Sequence, residues 1–277
     1  DFVTENGFVI GRVRTKLKGA KINLPFSSVG ATENIMMAAI KANGVTIINN
    51  AAKEPEIVDL AHCLIKMGAN ISGEGTSSIL IKGVKNLHQA EHTIIFDRIV
   101  AGTFVIAAVM LNKEFIVKNI NTNYLESLIE ILTNMGANLK IGNNFINILP
   151  AKKIVGIKVE TSPYPGFPTD LQAQLMALMS LALGKSQISE KIFENRFMHV
   201  SELNRLGAKI KVKNDTAFIE GGRTFKGAQV MASDLRASVS LVLAALCSEG
   251  ETVVNRVYHL DRGYEKIEET LGKCGPS

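Results

Sequence analysis

Apolar positions along this chain alternate between two kinds of run. One kind is dense and Ala-rich, and it occurs four times: SVGATENIMMAAIKANGVTIIN from Ser28, DRIVAGTFVIAAVMLNKEFIVKN from Asp97, TDLQAQLMALMSLALGKSQIS from Thr169 and SDLRASVSLVLAALCSEGETVVN from Ser233. Each reads as a helix, opened by an Asp or a Gly and apolar nearly all the way round, followed by a short strand. A helix without a polar face is expected to be buried on every side. The other kind is an amphipathic helix that ends in a Gly-centred stop: MGAN at Met67–Asn70, MGAN at Met135–Asn138, LGAK at Leu206–Lys209 and KCGP at Lys273–Pro276. The glycines of these stops, Gly68, Gly136, Gly207 and Gly275, stand 68, 71 and 68 residues apart. A fixed period of this kind implies one supersecondary module used repeatedly.

After each of the first three stops come two alternating runs, such as AKIKVKND and TAFIEGG, which predict a hairpin closing the unit. The expected unit is therefore βαβαββ, with apolar helices gathered in the centre and sheets outside. In the last unit KGAQVMASD reads as a strand, Asp234 as the N-cap of a helix over 235–248, ETVVNRVY as a strand and DRGYEKIEETLGKCG as an amphipathic helix. No hairpin follows Gly275, and residues 1–19 look like the hairpin of a unit whose helices are absent. With no initiator Met either, the expectation is a piece of a longer repeat protein, cut at both ends.

Composition narrows the class. Apolar residues make up 46% of 277, ample for a core and a soft argument for two domains. The longest apolar runs, such as 104–111, fall well short of the roughly 20 residues of a membrane helix, and no signal segment opens the chain. Cys63, Cys247 and Cys274 lack paired spacing, which suggests buried thiols in a reducing, cytoplasmic compartment. A net charge of +5 spread along the chain argues against a nucleic-acid stripe, although a nucleic-acid-handling repeat protein remains one reading that a salt-dependent RNA-binding test would examine.

Helix starts favour anions, and four arginines stand near them: Arg98, Arg196, Arg236 and Arg262. Guanidinium groups converging on one cleft would suit a small, highly anionic substrate. The plainer alternative pairs each with its acidic neighbour, Asp97, Glu194, Asp234 or Asp261. Asp170 ends the proline-rich stretch TSPYPGFPTD. There it could act as a general base or simply cap the following helix. The five histidines show no metal-ligand spacing, so no metal site is expected. GxxxxGK and GxGxxG loops are absent. Met36 and Met37, on an apolar helix, are expected in the core.

Six strings in order, SSVGATENIMMAA, EPEIVDLA, PYPGFPTDLQAQ, FENRFMHVSEL, VMASDLRASVSLVLAA and YHLDRGYEKIEE, resemble the UDP-N-acetylglucosamine 1-carboxyvinyltransferase family over essentially the whole chain. The resemblance implies an inside-out α/β barrel of repeated βαβαββ units, enolpyruvyl transferase-like, in two domains with a substrate cleft between them. It also implies transfer of the enolpyruvyl group of phosphoenolpyruvate to the 3-hydroxyl of UDP-N-acetylglucosamine, the first committed step of peptidoglycan synthesis, with no metal or organic cofactor. Carried over by motif, Asp170 would be the acid/base group at the sugar hydroxyl. Arg196, Arg236 and the catalytic Arg262 would surround the phosphoenolpyruvate anion. Ser28, Val29 and Gly30 would contact the uridine diphosphate, and Ile192 would line the sugar site.

The resemblance is incomplete. The family's N-proximal Lys-Asn pair and its mobile loop with a Cys or Asp and a further Arg match no segment here, and Phe96-Asp97-Arg98-Ile99-Val100 replaces the usual Pro-Asp-Arg-Ile-acidic string. Residues 1–94 would then supply one unit and a stray hairpin of an incomplete sugar-nucleotide-side domain, and 95–277 nearly all of the C-proximal domain. The expected consequence is a chain inactive by itself, whose first portion does not fold natively alone. Two other readings are a non-catalytic remnant or half of a split protein needing a complementing chain, and a transferase acting on shikimate phosphate, which PYPGFPTD and FENRFMHV disfavour.

Overall fold

The structure, a computed structural model, describes residues 2–13 and 15–275. Pro276, the end of the fourth stop, lies outside the described residues. The chain forms two compact units, Asp1–Ile95 and Phe96–Ser277.

The first unit begins with an antiparallel hairpin of β1 (Phe2–Glu5) and β2 (Phe8–Gly11). A complete βαβαββ module follows: β3 (Lys21–Asn23), α1 (Val29–Ala39), β4 (Val45–Asn49), α2 (Pro55–Lys66), β5 (Asn70–Ser72) and β6 (Ser78–Lys82). Its sheet runs β3-β4-β6-β5, with β3 parallel to β4 and the rest antiparallel.

In the second unit come α3 (Arg98–Leu111), β7 (Phe115–Lys118), α4 (Glu126–Asn134), β8 (Asn138–Ile141) and β9 (Phe145–Leu149). The next module is complete: β10 (Lys158–Glu160), α5 (Gln172–Leu181), β11 (Lys185–Ser189), α6 (Val200–Arg205), β12 (Ile210–Lys213) and β13 (Thr216–Glu220). Last are β14 (Phe225–Lys226), β15 (Gln229–Met231), α7 (Leu235–Leu246), β16 (Ser248–Glu249), β17 (Val253–Asn255) and α8 (Ile267–Lys273). The order β10-β11-β13-β12 repeats that of the first unit's module, and β7-β9-β8 repeats it without the leading parallel strand.

The period seen in sequence has a physical cause. Gly68, Gly136 and Gly207 all take positive φ, +97°, +96° and +104°, just past the ends of α2, α4 and α6. In each stop the glycine N–H and the next residue's N–H turn back to carbonyls of the last helical turn: Ala69 to Leu64, Ala137 to Leu132 and Ala208 to Leu203, all 2.9–3.0 Å. This is a Schellman end, which favours glycine because it lacks a Cβ. The carbonyl before each glycine then accepts from a later backbone N–H in all three: His88 to Met67, Val155 to Met135 and Lys226 to Leu206.

Sheet registers repeat as well. The inward-facing pairs Ile48↔Ile79, Val117↔Ile146 and Ile188↔Ala217, buried except for the half-buried Val117, sit at matching places of their hairpins, so one face of each sheet covers helices. In the second unit α5 is buried from Gln172 to Ser180, and α3 and α7 pack against it; Val105, Ile106, Leu175, Met179 and Leu241 share one core. The apolar helices occupy the centre because none has a face to offer water.

Several boundaries differ from expectation. α1 is capped by Ser28, whose Oγ accepts from the Ala31 N–H, so Gly30 lies inside the helix rather than opening it. Met36 is fully buried but Met37 is 46% exposed. The last helix shrinks to Ile267–Lys273, because the positive φ of Lys266 breaks the helical path and the preceding turn packs Gly263 on Leu235. Other elements of the last unit are likewise shorter than expected: α7 stops at Leu246 rather than 248, and only Val253–Asn255 of ETVVNRVY pairs, with β15.

Candidate active site

Asp170 lies in a short 3-10 turn, Thr169–Leu171, leading into α5. It caps no helix. Its Oδ1 accepts from Arg196 Nη2 at 2.6 Å and its Oδ2 from Arg236 Nε at 3.3 Å, so two guanidinium groups grip one carboxylate, one from the 190–198 loop and one from the first turn of α7. The proline-rich stretch holds the turn in place: Phe167 is buried, and the Ser162 N–H bonds back to its carbonyl at 3.0 Å.

Arg236 is the second residue of α7, whose N-cap Asp234 accepts from the N–H groups of Arg236 and Ala237. Asp234 thus spends its carboxylate on the helix end and leaves the Arg236 side chain to Asp170. Burial pulls the guanidinium's proton affinity down, but the charge of Asp170, the phenol oxygen of Tyr264 and the charge of Asp97 more than offset this and raise it overall. Its Nη1 is buried and, among the described residues, has no hydrogen-bond partner. The guanidinium carbon stands 5.7 Å from the Tyr264 ring centroid, a cation–π distance.

Beneath this pair lies a knot of neutral groups. Tyr264 Oη meets Thr103 Oγ1 at 2.8 Å, and Gln174 Nε2 donates to Thr103 Oγ1 at 3.1 Å and to the Asp170 carbonyl at 2.9 Å. The second turn of α3, the first turn of α5 and the segment before α8 are tied together there. Burial pushes the Tyr264 phenol up, so it stays a neutral hydrogen-bonding group.

Arg196 also donates through Nη1 to Thr169 Oγ1 at 2.9 Å and stacks on Phe193, 4.9 Å from the ring centroid. Close by is His199, fully buried; desolvation, and secondarily Arg196, push its imidazole down to about 4 against the pull of Asp234. A depression of about 1110 Å3 opens at the 190–198 loop and is lined by Ile192 and Arg196 but not by Asp170 or Arg236.

Of the expected site residues, Asp170, Arg196 and Arg236 are brought together. The local-pairing alternative fails for both arginines, whose carboxylate partner is neither Glu194 nor Asp234. Arg262 is exposed and, among the described residues, makes no ion pair; it precedes the buried Tyr264 by two positions. Arg98 faces the Tyr164 ring at 5.6 Å. Ser28, Val29 and Gly30 form the start of α1 in the first unit, with Ser28 as cap and Gly30 exposed. Sequence reasoning missed Thr103, Gln174 and Tyr264, and also Glu190. A polar residue in a run as apolar as QAQLMALM, or a Thr inside RIVAGTFVIAA, is the signal that could have found the first two.

Among the described residues no cluster of His, Cys, Asp and Glu could hold a metal ion, and no helix is long and apolar enough to cross a membrane.

Residues 3–271 match the family described as EPSP synthase (3-phosphoshikimate 1-carboxyvinyltransferase). The chain belongs to the EPSP synthase family. Relatives within it carry a more particular name. A UDP-N-acetylglucosamine 1-carboxyvinyltransferase of Granulibacter bethesdensis is 52% identical over 271 residues, covering 98% of this chain and 64% of that protein. One from Azorhizobium caulinodans is 53% identical over 276 residues, covering 99% and 64%. The chain therefore spans just under two thirds of these relatives' length. Among solved structures, the enolpyruvyl transferase NikO from Streptomyces tendae superposes with a TM-score of 0.90 at 26% identity, over 99% of this chain and 67% of NikO. An EPSP synthase from Acinetobacter baumannii, at 20% identity and a TM-score of 0.72 over 94% of this chain and 63% of its own, shares the fold. The βαβαββ architecture is thus that of the EPSP synthase family.

Proposed function

We propose that the protein from which this chain comes transfers the enolpyruvyl group of phosphoenolpyruvate to the 3-hydroxyl of UDP-N-acetylglucosamine, releasing phosphate, in the cytoplasmic stage of peptidoglycan synthesis. The observation that carries the reading is Asp170 clasped by Arg196 and Arg236 in a chain 52–53% identical to proteins of that name. No metal or organic cofactor is assigned a role. Residues 1–94 are taken as part of the sugar-nucleotide-side domain, with Ser28, Val29 and Gly30 at the uridine diphosphate, and 95–277 as the C-proximal transferase domain.

The chemistry follows from charge. The sugar hydroxyl must lose a proton as its oxygen bonds to C2 of the enol phosphate, while C3 gains one. The tetrahedral adduct then loses phosphate from C2 and a proton from C3, which re-forms the double bond as the product's enol ether. Asp170 would take the hydroxyl proton, but both of its oxygens are engaged by arginines. An arriving phosphate or carboxylate offers those guanidinium groups a competing anion, which would release a carboxylate oxygen for the proton. Arg196, Arg236 and Arg262 would then hold the adduct's charge, a stabilisation that matters most when donors are fixed beforehand. Ile192 would form the apolar wall of the sugar site.

The test is phosphate release from phosphoenolpyruvate with UDP-N-acetylglucosamine against shikimate 3-phosphate as acceptor. It should be run with the 277-residue chain, alone and mixed with a chain carrying the Lys-Asn and mobile-loop segments. Turnover is expected with the sugar nucleotide and only in the mixture. Turnover with shikimate 3-phosphate would favour the alternative specificity. Turnover by the chain alone would overturn the expectation that it is inactive by itself, and none in either case would support a non-catalytic remnant.

A further inference from the structure

Glu190 is a carboxylate that neither the family motifs nor the charge pattern single out, and it is only 4% exposed. It directly follows β11, and no cation stands against it among the described ion pairs. Four neutral donors surround it. Thr161 Oγ1, the Ile192 N–H and the Phe193 N–H donate to Oε1 at 2.9, 2.9 and 3.2 Å, and Thr169 Oγ1 donates to Oε2 at 2.8 Å. A buried carboxylate is costly unless its lone pairs are filled, and here hydroxyl and amide hydrogens fill them.

The donors come from two separate segments. Thr161 and Thr169 bracket the proline-rich loop that delivers Asp170, whereas Ile192 and Phe193 begin the loop that delivers Arg196. Thr169 is itself the link: its hydroxyl accepts from Arg196 Nη1 at 2.9 Å and passes its own proton toward Glu190. The result is a continuous line, guanidinium to hydroxyl to carboxylate, running behind the Asp170–Arg196 pair.

We propose that Glu190 is a positioning residue for the transfer reaction, fixing Arg196 against Asp170 through the Thr169 hydroxyl and setting the start of the 192–196 loop through two backbone amides. This rests on the function proposed above for Asp170 and Arg196. The hydroxyl has one proton and must choose a direction. An anionic acceptor at Glu190 orients that proton inward and leaves the oxygen lone pairs facing Arg196. Without it, the hydroxyl can turn, and the guanidinium loses one of its two fixed acceptors.

Glu190→Gln separates the two jobs of the side chain. Its amide oxygen can still serve Thr161, Ile192 and Phe193, but its NH2 faces Thr169 as a donor, so the hydroxyl proton has no acceptor. Thr169→Val removes the same link from the other side, and Thr169→Ser keeps it. In the reconstituted transferase, E190Q and T169V are each expected to lower kcat by about 100-fold with little change in KM for the sugar nucleotide. T169S should stay near wild type, and the double variant E190Q/T169V should be no worse than either alone, as for members of one relay. Multiplying losses, or a T169S as poor as T169V, would overturn the proposal.

A second readout needs no turnover and so separates this proposal from the assigned reaction. In 15N-arginine-labelled chain, a guanidinium held at both ends gives distinct Nη signals, and those of Arg196 are identified by their loss in Arg196→Lys. They are expected to merge in E190Q and T169V and to persist in T169S. Distinct Arg196 signals in E190Q would refute the positioning role even where activity had fallen.

Discussion

The Thr103 hydroxyl meets the Tyr264 hydroxyl at 2.8 Å, joining the second turn of α3 to a segment 161 residues later in the chain. Tyr264 in turn lies under Arg236, and Arg262 stands two residues before it. The placement of two arginines thus depends on one buried pair of neutral oxygens.

Removing either hydroxyl leaves the other in an apolar setting with fewer partners. Thr103→Val and Tyr264→Phe are each expected to cost about 1 to 3 kcal/mol in chemical denaturation. Together they should cost clearly less than the sum of the two, because the second change removes the group that the first had orphaned. Additive losses would show that the two oxygens act independently.

Asp170→Asn keeps the shape of the site but withdraws the charge that Arg196 and Arg236 share. In the reconstituted transferase its activity should fall by about 10² to 10⁴-fold, the range for loss of a general base. Binding of phosphoenolpyruvate measured by calorimetry should be unchanged or tighter, since the internal competitor for the guanidinium groups has lost its charge. Weaker binding would mean that Asp170 holds the arginines in place for the anion rather than competing with it.

His199 makes stability depend on pH. Its ordinary value of 6.5 falls to about 4 in the folded chain, mainly by burial. Between those values the unfolded state takes a proton that the folded state refuses, so the contribution is complete above about 6.5 and is lost as pH falls toward 4. Between pH 7.5 and pH 5 the loss is about 2 kcal/mol. His199→Met should reduce the stability difference between those two pH values by about that amount. An unchanged difference would place the acid sensitivity elsewhere.

Gly221 lies where a Cβ would stand 1.9 Å from the Ala182 carbonyl oxygen, and Gly83 makes the same approach to Ala42 at 1.6 Å. In both places the backbone itself blocks the added carbon. Gly221→Ala is therefore expected to cost more than about 2 kcal/mol. Gly272, exposed in α8 with open space around it, is the contrast: Gly272→Ala should stabilise by up to about 1 kcal/mol. Thermal melts of the two variants side by side would check both signs.

The repeat was legible from sequence because its cause is local. A glycine at a Schellman end and an alternating hairpin are both written within about ten residues, and α2, α4 and α6 end where the stops say. The Asp234 cap was legible for the same reason. The partner of Asp170 was not: the local pattern offered Glu194 and Asp234 to the arginines and a helix end to Asp170. The structure instead pairs residues 26 and 66 positions apart. Glu190 was hidden because its partners are two threonines and two amides, which leave no charge pattern. The last helix was overestimated since DRGYEKIEE has helical composition, while the left-handed backbone of Lys266 delays the helix to Ile267.

The Schellman corners also set an order of events. Each closes a loop of five residues, which costs little chain entropy, whereas the Asp170–Arg236 contact closes one of 66 residues. The corners are therefore expected early on the folding route and the carboxylate–arginine cluster late. Substitutions such as Gly207→Ala should slow refolding, while Asp170→Asn should speed unfolding and leave refolding nearly unchanged, as stopped-flow measurements would show. Selection can then alter the chemistry of the cluster without disturbing how the chain first finds its shape.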